Sequence, residues 1–149
     1  MSGNKDNSFT SGYRFIEHTA DIGLHSRGKS LEESLANLGK GMTDIISDLR
    51  KVEEKIEESI SVEAESIEEL VIAYLCEILF LFDTKHLLFS NFKIKLEYKN
   101  GIYCLHATMK GEVFDPKKHS YPVEIKAVTE HLLEVKKEPP FDIKVIFDL

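Results

Sequence analysis

At 149 residues the chain has the length of one domain, enough to bury a hydrophobic core. Apolar residues make up 42% and charged residues 30%, a composition that excludes a disordered chain and fits a soluble globular protein. The net charge of −7 excludes a body built as an electrostatic trap for nucleic acid. That excess is local: Glu53 to Glu69 holds eight acids against the single base Lys55, which leaves the remainder about neutral. Such a stretch is usually a solvated face and less often a dock for a basic partner. Cys76 and Cys104 have neither a disulfide framework nor zinc-site spacing, which suits a reducing compartment. With no leader-like start and no run of membrane-spanning length, a cytoplasmic or nuclear location is expected.

Met1–Gly12 is rich in Ser, Gly and Asn and is expected to be a disordered tail, with the domain running from Tyr13 to Leu149. Tyr13–Ile16 is a first strand that stops at Glu17, His18, Thr19 and Asp21, a tight group of acids, an imidazole and a hydroxyl. Ile22–Lys29 alternates as a second strand, on which His25 is expected at the surface. Ser30-Leu31-Glu32-Glu33 has capping-box form, and Leu31, Leu35, Leu38, Met42, Ile45, Ile46 and Leu49 follow at helical spacing. Gly39 and Gly41 within that stripe mark a close approach of another element.

Lys51–Glu58 is a charged strand or loop, and Ile60, Val62 and Ala64 alternate as a half-buried strand. A second capping box at Ser66–Glu69 opens a helix with a wide apolar face that includes Leu70, Tyr74 and Ile78, leaving Cys76 and Glu77 off it. Asn100-Gly101 is the dipeptide of a two-residue type I′ hairpin. Pairing across it sets Tyr98 against Tyr103, Leu96 against Leu105, Ile94 against Ala107 and Phe92 against Met109, all on one face. His106 and Cys104 then fall on the other face, as surface residues and not as a catalytic pair. Lys117 and Lys118 lie in a loop, weak evidence for a phosphate contact. Val123–Thr129 and Leu132–Lys136 are two further strands, Pro139-Pro140 breaks the chain, and Phe141, Ile143, Val145 and Phe147 form one face of the last strand. The sum is an α+β fold: a single compact domain with a mainly antiparallel sheet packed against two helices.

No nucleophile elbow, P-loop or dinucleotide fingerprint is present, and no His pair has metal-ligand spacing. What remains is an oxygen-only cation site. Asp21 and Asp148 both adjoin short strand-like runs, and Leu149 adds a terminal carboxylate beside Asp148. On spacing alone the plainer reading is the favoured one, with Asp21 a turn former and Asp148 a solvated tail residue.

The segment Tyr13-Arg14-Phe15-Ile16-Glu17-His18-Thr19-Ala20-Asp21-Ile22-Gly23 resembles the opening motif of the archease family. Val145-Ile146-Phe147-Asp148-Leu149 resembles its ending, and Glu124-Ile125-Lys126-Ala127-Val128-Thr129 its late strand. The resemblance covers about Tyr13 to Leu149 and departs mainly in the final Leu, where Ile is common in the family. It implies an activating, chaperone-like cofactor of the tRNA-splicing RNA ligase, the enzyme that joins 2′,3′-cyclic phosphate or 3′-phosphate ends to 5′-hydroxyl ends. Such a cofactor promotes guanylylation of the ligase and its multiple turnover and is not itself an enzyme. The resemblance also implies a divalent cation, Ca²⁺ first with Mg²⁺ or Mn²⁺ as alternatives, at Asp21, Asp148 and Leu149. Glu17, His18 and Lys126 stand as supporting residues, and the partner is the ligase, with neither strong direct nucleic-acid binding nor a membrane. Two other classes stay open at this point: a small carboxylate-metal phosphoesterase, which would turn over a phosphodiester alone, and a non-catalytic interaction module.

Overall fold

Two serine caps set the helices. Ser30 Oγ accepts from the Glu33 N–H at 3.0 Å and α1 runs Leu31–Ile46; Ser66 Oγ accepts from the Glu69 N–H at 3.1 Å and α2 runs Ile67–Lys85. The Glu side chains close these boxes differently from the expected pattern. The Glu33 carboxylate accepts from the Lys29 N–H (3.1 Å) and the Ser11 hydroxyl (2.7 Å), while Glu69 accepts from the Ser66 hydroxyl. α1 ends before Leu49, which lies in a separate 3-10 turn, Leu49–Lys51.

The computed structural model describes residues 9–17, of Glu17 the backbone, and residues 20–149. Its strands are β1 (Gly12–Glu17), β2 (Asp21–Arg27), β3 (Ile56–Ala64), β4 (Leu87–Lys99), β5 (Ile102–Val113), β6 (Ala127–Val135) and β7 (Ile143–Asp148). They form two antiparallel sheets where the sequence suggested one, in the orders β1-β2-β7-β6 and β3-β5-β4. α1 packs on β1, β2 and β7 of the first sheet and on β4 of the second; α2 packs on β6 and on β3, β4 and β5. Both helices therefore lie between the sheets, and their wide apolar faces are buried from two sides.

The β4–β5 register is the expected one, including Tyr98 with Tyr103, Leu96 with Leu105, Ile94 with Ala107 and Phe92 with Met109. Asn100 (φ 52°) and Gly101 (φ 78°) both take the positive angles that a type I′ turn demands. Gly101→Ala puts a Cβ into the left-handed region and should lower stability by about 1–2 kcal/mol, read as a shifted urea midpoint. Close approach accounts for the two helix glycines. A Cβ on Gly39 would stand 2.7 Å from Phe92 and Tyr74, and one on Gly41 2.6 Å from Leu24.

The first sheet shows α1 the side chains of Leu24, Ile143, Val145 and Phe147, all at most 1% exposed. Its opposite face carries Asp21, Gly23, His25 and Arg27 of β2 beside Lys144, Ile146 and Asp148 of β7. Several expectations change here. Val123–Thr129 and Leu132–Lys136 are one strand, β6, whose pairing breaks between Thr129 and Glu134; residues before Ala127 form a loop. Phe141 precedes β7 at φ 57° and is not part of its face. Residues 9–12, expected within the tail, carry structure: β1 begins at Gly12, and the Phe9 ring meets the His25 ring edge-on at 4.9 Å.

Candidate functional site

β2 opens on Asp21 and β7 closes on Asp148, and antiparallel pairing sets these two residues directly opposite each other. Directly opposed residues hold their Cβ atoms roughly 4.5–5.5 Å apart, and two like charges there destabilise the pair. The neighbouring backbone holds this end of the sheet on both flanks. The Lys126 N–H donates to the Asp148 carbonyl at 2.8 Å, and the Leu149 N–H donates to the Ala20 carbonyl at 3.3 Å. On the β6 side the residue opposite Asp148 is Ala127.

Asp148 and Leu149 are exposed, and Asp21 is half-buried. Asp21 Oδ1 is buried and has no hydrogen-bond partner among the described residues. A carboxylate oxygen withdrawn from water without a partner is costly, and the residue directly opposite Asp21 on β7 is a second aspartate. Hard oxygen donors of this kind suit Ca²⁺, Mg²⁺ or Mn²⁺ and not a soft metal. Among the described residues no three His, Cys, Asp or Glu side chains cluster to hold a metal ion. The set named from sequence, the two aspartates with Leu149, would leave most of a six- to eight-oxygen shell to other groups. Of the supporting residues named from sequence, Lys126 is exposed and joined to the site through its backbone; His18 and the Glu17 side chain lie outside the described residues.

Two polar clusters were not legible in the sequence. His25, expected at the surface, is 1% exposed. Its Nε2–H donates to Asp142 Oδ1 at 2.9 Å, and its Nδ1 accepts from Arg14 Nε at 3.3 Å, an arrangement that assigns the neutral tautomer. Arg27 grips the same carboxylate from two nitrogens, 2.7 Å to Oδ1 and 3.1 Å to Oδ2, and the Phe9 ring lies 4.7 Å from its guanidinium. Burial pushes the His25 pKa down, and the hydrogen bond to Asp142 offsets this in part. Burial alone would push the Asp142 carboxyl up, but the hydrogen bonds from Arg27 and His25 outweigh it and hold the group at about 2.

In the second cluster, Glu112 Oε2 accepts from His119 Nε2 (3.0 Å), Lys118 Nζ (2.8 Å) and the Glu53 N–H (2.7 Å). Burial raises the Glu112 pKa, and these donors overcome it and hold the carboxyl at about 2. Lys118, a weak candidate for phosphate, is thus committed to Glu112 and Glu53. His106 and Cys104 are where the hairpin register puts them, on the face away from the core, with His106 Nδ1 2.9 Å from Ser61 Oγ. No helix among the described residues is long and apolar enough to cross a membrane.

The model of the Archease protein family (MTH1598/TM1083) matches residues 13–149. The chain is 42% identical over 127 residues to the protein archease of Pyrococcus furiosus, covering 85% of this chain and 89% of that one. It is 38% identical over 127 residues to the protein archease of Thermococcus kodakarensis, with the same two coverages. Its fold matches the solution structure of Methanobacterium thermoautotrophicum protein 1598 with a TM-score of 0.81 and 34% identity, over 93% of this chain and 99% of that one. Those matches span both end motifs and the two-sheet architecture around the paired aspartates, and the chain belongs to the archease family.

Proposed function

We propose that this protein is the activating cofactor of the tRNA-splicing RNA ligase, promoting guanylylation of the ligase and its multiple turnover, and has no catalytic activity of its own. The observation that carries the reading is the direct pairing of Asp21 with Asp148 at an exposed sheet end, with one Asp21 oxygen buried and unpartnered. In this reading Asp21, Asp148 and main-chain oxygen of Leu149 hold a divalent cation, Ca²⁺ in the first instance. The ion would neutralise the paired carboxylates and present open coordination positions to a partner. A site at the rim of a sheet can enter a recess in another protein, whereas one in a deep pocket cannot. The tip is therefore proposed to enter the ligase's nucleotide and metal site and to rearrange the ligands there during guanylylation.

The test is to add the protein to a cognate ligase with GTP and RNA and to follow covalent GMP attachment over repeated turnovers. The expected result is sustained guanylylation and ligation with the protein present, and neither ligation nor phosphodiester hydrolysis by the pure chain. Hydrolysis by the pure chain that disappears in Asp21→Ala would replace this reading with the phosphoesterase. Stimulation that survives Asp21→Ala unchanged would reduce the protein to an interaction module.

A further inference from the structure

Among the described residues, two buried side-chain polar atoms lack a hydrogen-bond partner, Asp21 Oδ1 and Thr129 Oγ1. They belong to strands at opposite flanks of β7, yet register places them on one face and at one end of the same sheet. Asp21 is opposite Asp148, Asp148 is opposite Ala127, and Thr129 stands two residues along β6 from Ala127. Residues two apart on a strand share a face, so Asp21, Asp148 and Thr129 all project away from the helices. Thr129 is then the diagonal neighbour of Asp148, about 7–8 Å away between Cα atoms.

The sheet is irregular immediately after Thr129. From Thr129–Ile146 to the next pair, Glu134–Lys144, β7 advances two residues while β6 advances five. The extra residues bulge outward, with Leu132 at φ 60° and 67% exposed. A positive φ is a genuine outlier for a side chain of this kind, and bulges re-aim side chains beside functional sites. Here the bulge makes Thr129 the last residue paired in that stretch of β6.

We propose that Thr129 Oγ1 is a positioning group of the cation site, holding a water molecule that is bound to the ion between Asp148 and β6. The proposal rests on the cation reading of Asp21 and Asp148 given above and adds to it a neutral oxygen on the third strand. Thr129 Oγ1 makes no direct hydrogen bond to Asp148 or to any other described group, and a water on the ion would give the hydroxyl the partner it lacks. The same hydroxyl accounts for the composition of the site: two carboxylates and a main-chain group leave vacant positions that water must fill.

The test compares the full-length wild type with Thr129→Val, Thr129→Ser and Asp21→Ala by calorimetric titration with Ca²⁺ alone. Melting temperatures are measured in parallel in chelator and in excess Ca²⁺. Val keeps the shape and removes the hydroxyl. It should weaken Ca²⁺ binding about tenfold or more, the usual loss when a supporting partner of a metal site is removed. In chelator the sign reverses: Thr129→Val should melt at or above the wild-type temperature, because an unpartnered buried hydroxyl has been removed. Thr129→Ser should retain most of the affinity. Wild-type affinity in Thr129→Val, alongside lost binding in Asp21→Ala, would overturn the role of Thr129 and leave the cation site standing. Wild-type affinity in Asp21→Ala would overturn both.

Discussion

On the proposed function, Asp148→Ala is expected to fold, to bind no cation at the sheet end and to stimulate the ligase no more than buffer does. Asp148 is exposed at a strand end, so truncating its side chain should change stability by no more than about 0.5 kcal/mol in chelator. If anything the mutant gains, since one of two opposed like charges is gone. Metal affinity should fall by about 100-fold or more, beyond the loss expected from a supporting group. Calorimetry with Ca²⁺, melting in chelator and guanylylation of the ligase separate the outcomes. An ion that merely pins the strand ends predicts a mutant with a lower melting temperature in Ca²⁺ and intact stimulation. A folded Asp148→Ala protein that stimulates fully sinks the proposed mechanism. So does a wild type that keeps full stimulation with a bulky extension attached after Leu149.

The second large effect lies away from the tip. Asp142→Ala removes a carboxylate held by both His25 and Arg27. Their side chains are 2% and 13% exposed, so a buried imidazole and a half-buried cation lose their shared partner. Breaking a buried pair on one side costs about 3–5 kcal/mol, a drop in Tm of roughly 10 °C for a chain of this length. Differential scanning calorimetry at neutral pH would register it, and a loss of a degree or two would show that Arg27 is carried by its other contacts, among them the Phe9 carbonyl at 2.8 Å.

The same cluster sets an acid dependence whose sign is fixed. His25 has a pKa below its ordinary 6.5 in the folded state, so the unfolded chain takes up a proton that the folded one refuses, and stability falls as pH drops through 6.5. Asp142 is held at about 2 against an ordinary 3.8, so its contribution is full above 3.8 and is lost as pH falls toward 2. Glu112, held at about 2 against 4.5, acts in the same direction over its own window. Asp142→Asn should therefore lower stability at neutral pH and make the decline below pH 4 shallower, because one of the carboxylates held below its ordinary pKa is absent.

How much of this was legible beforehand follows from the range over which each feature is encoded. The capped helices and the Asn100-Gly101 hairpin depend on residues within a few positions of one another, and both the caps and the pairing register match the sequence pattern. Alternation along β7 likewise separates Val145 and Phe147 from Lys144 and Asp148 without reference to any other strand. The end motifs single out Asp21 and Asp148, but that they stand directly opposite each other is a property of the β2–β7 register, across 126 intervening residues. Alternation also tells which residues share a face, not whether that face is covered. His25 alternates like a surface residue and is buried because Asp142, 117 positions away, and Phe9, in a stretch with the composition of a tail, close over it. Thr129 gave no local sign of its unpartnered hydroxyl, since that depends on the bulge in β6 and on which strand lies beside it. Local sequence determined the elements, their caps and their apolar faces, because those follow from backbone geometry over a few residues. Burial of polar groups and the meeting of the two aspartates were decided by the tertiary structure, because each needs neighbours that only strand order supplies.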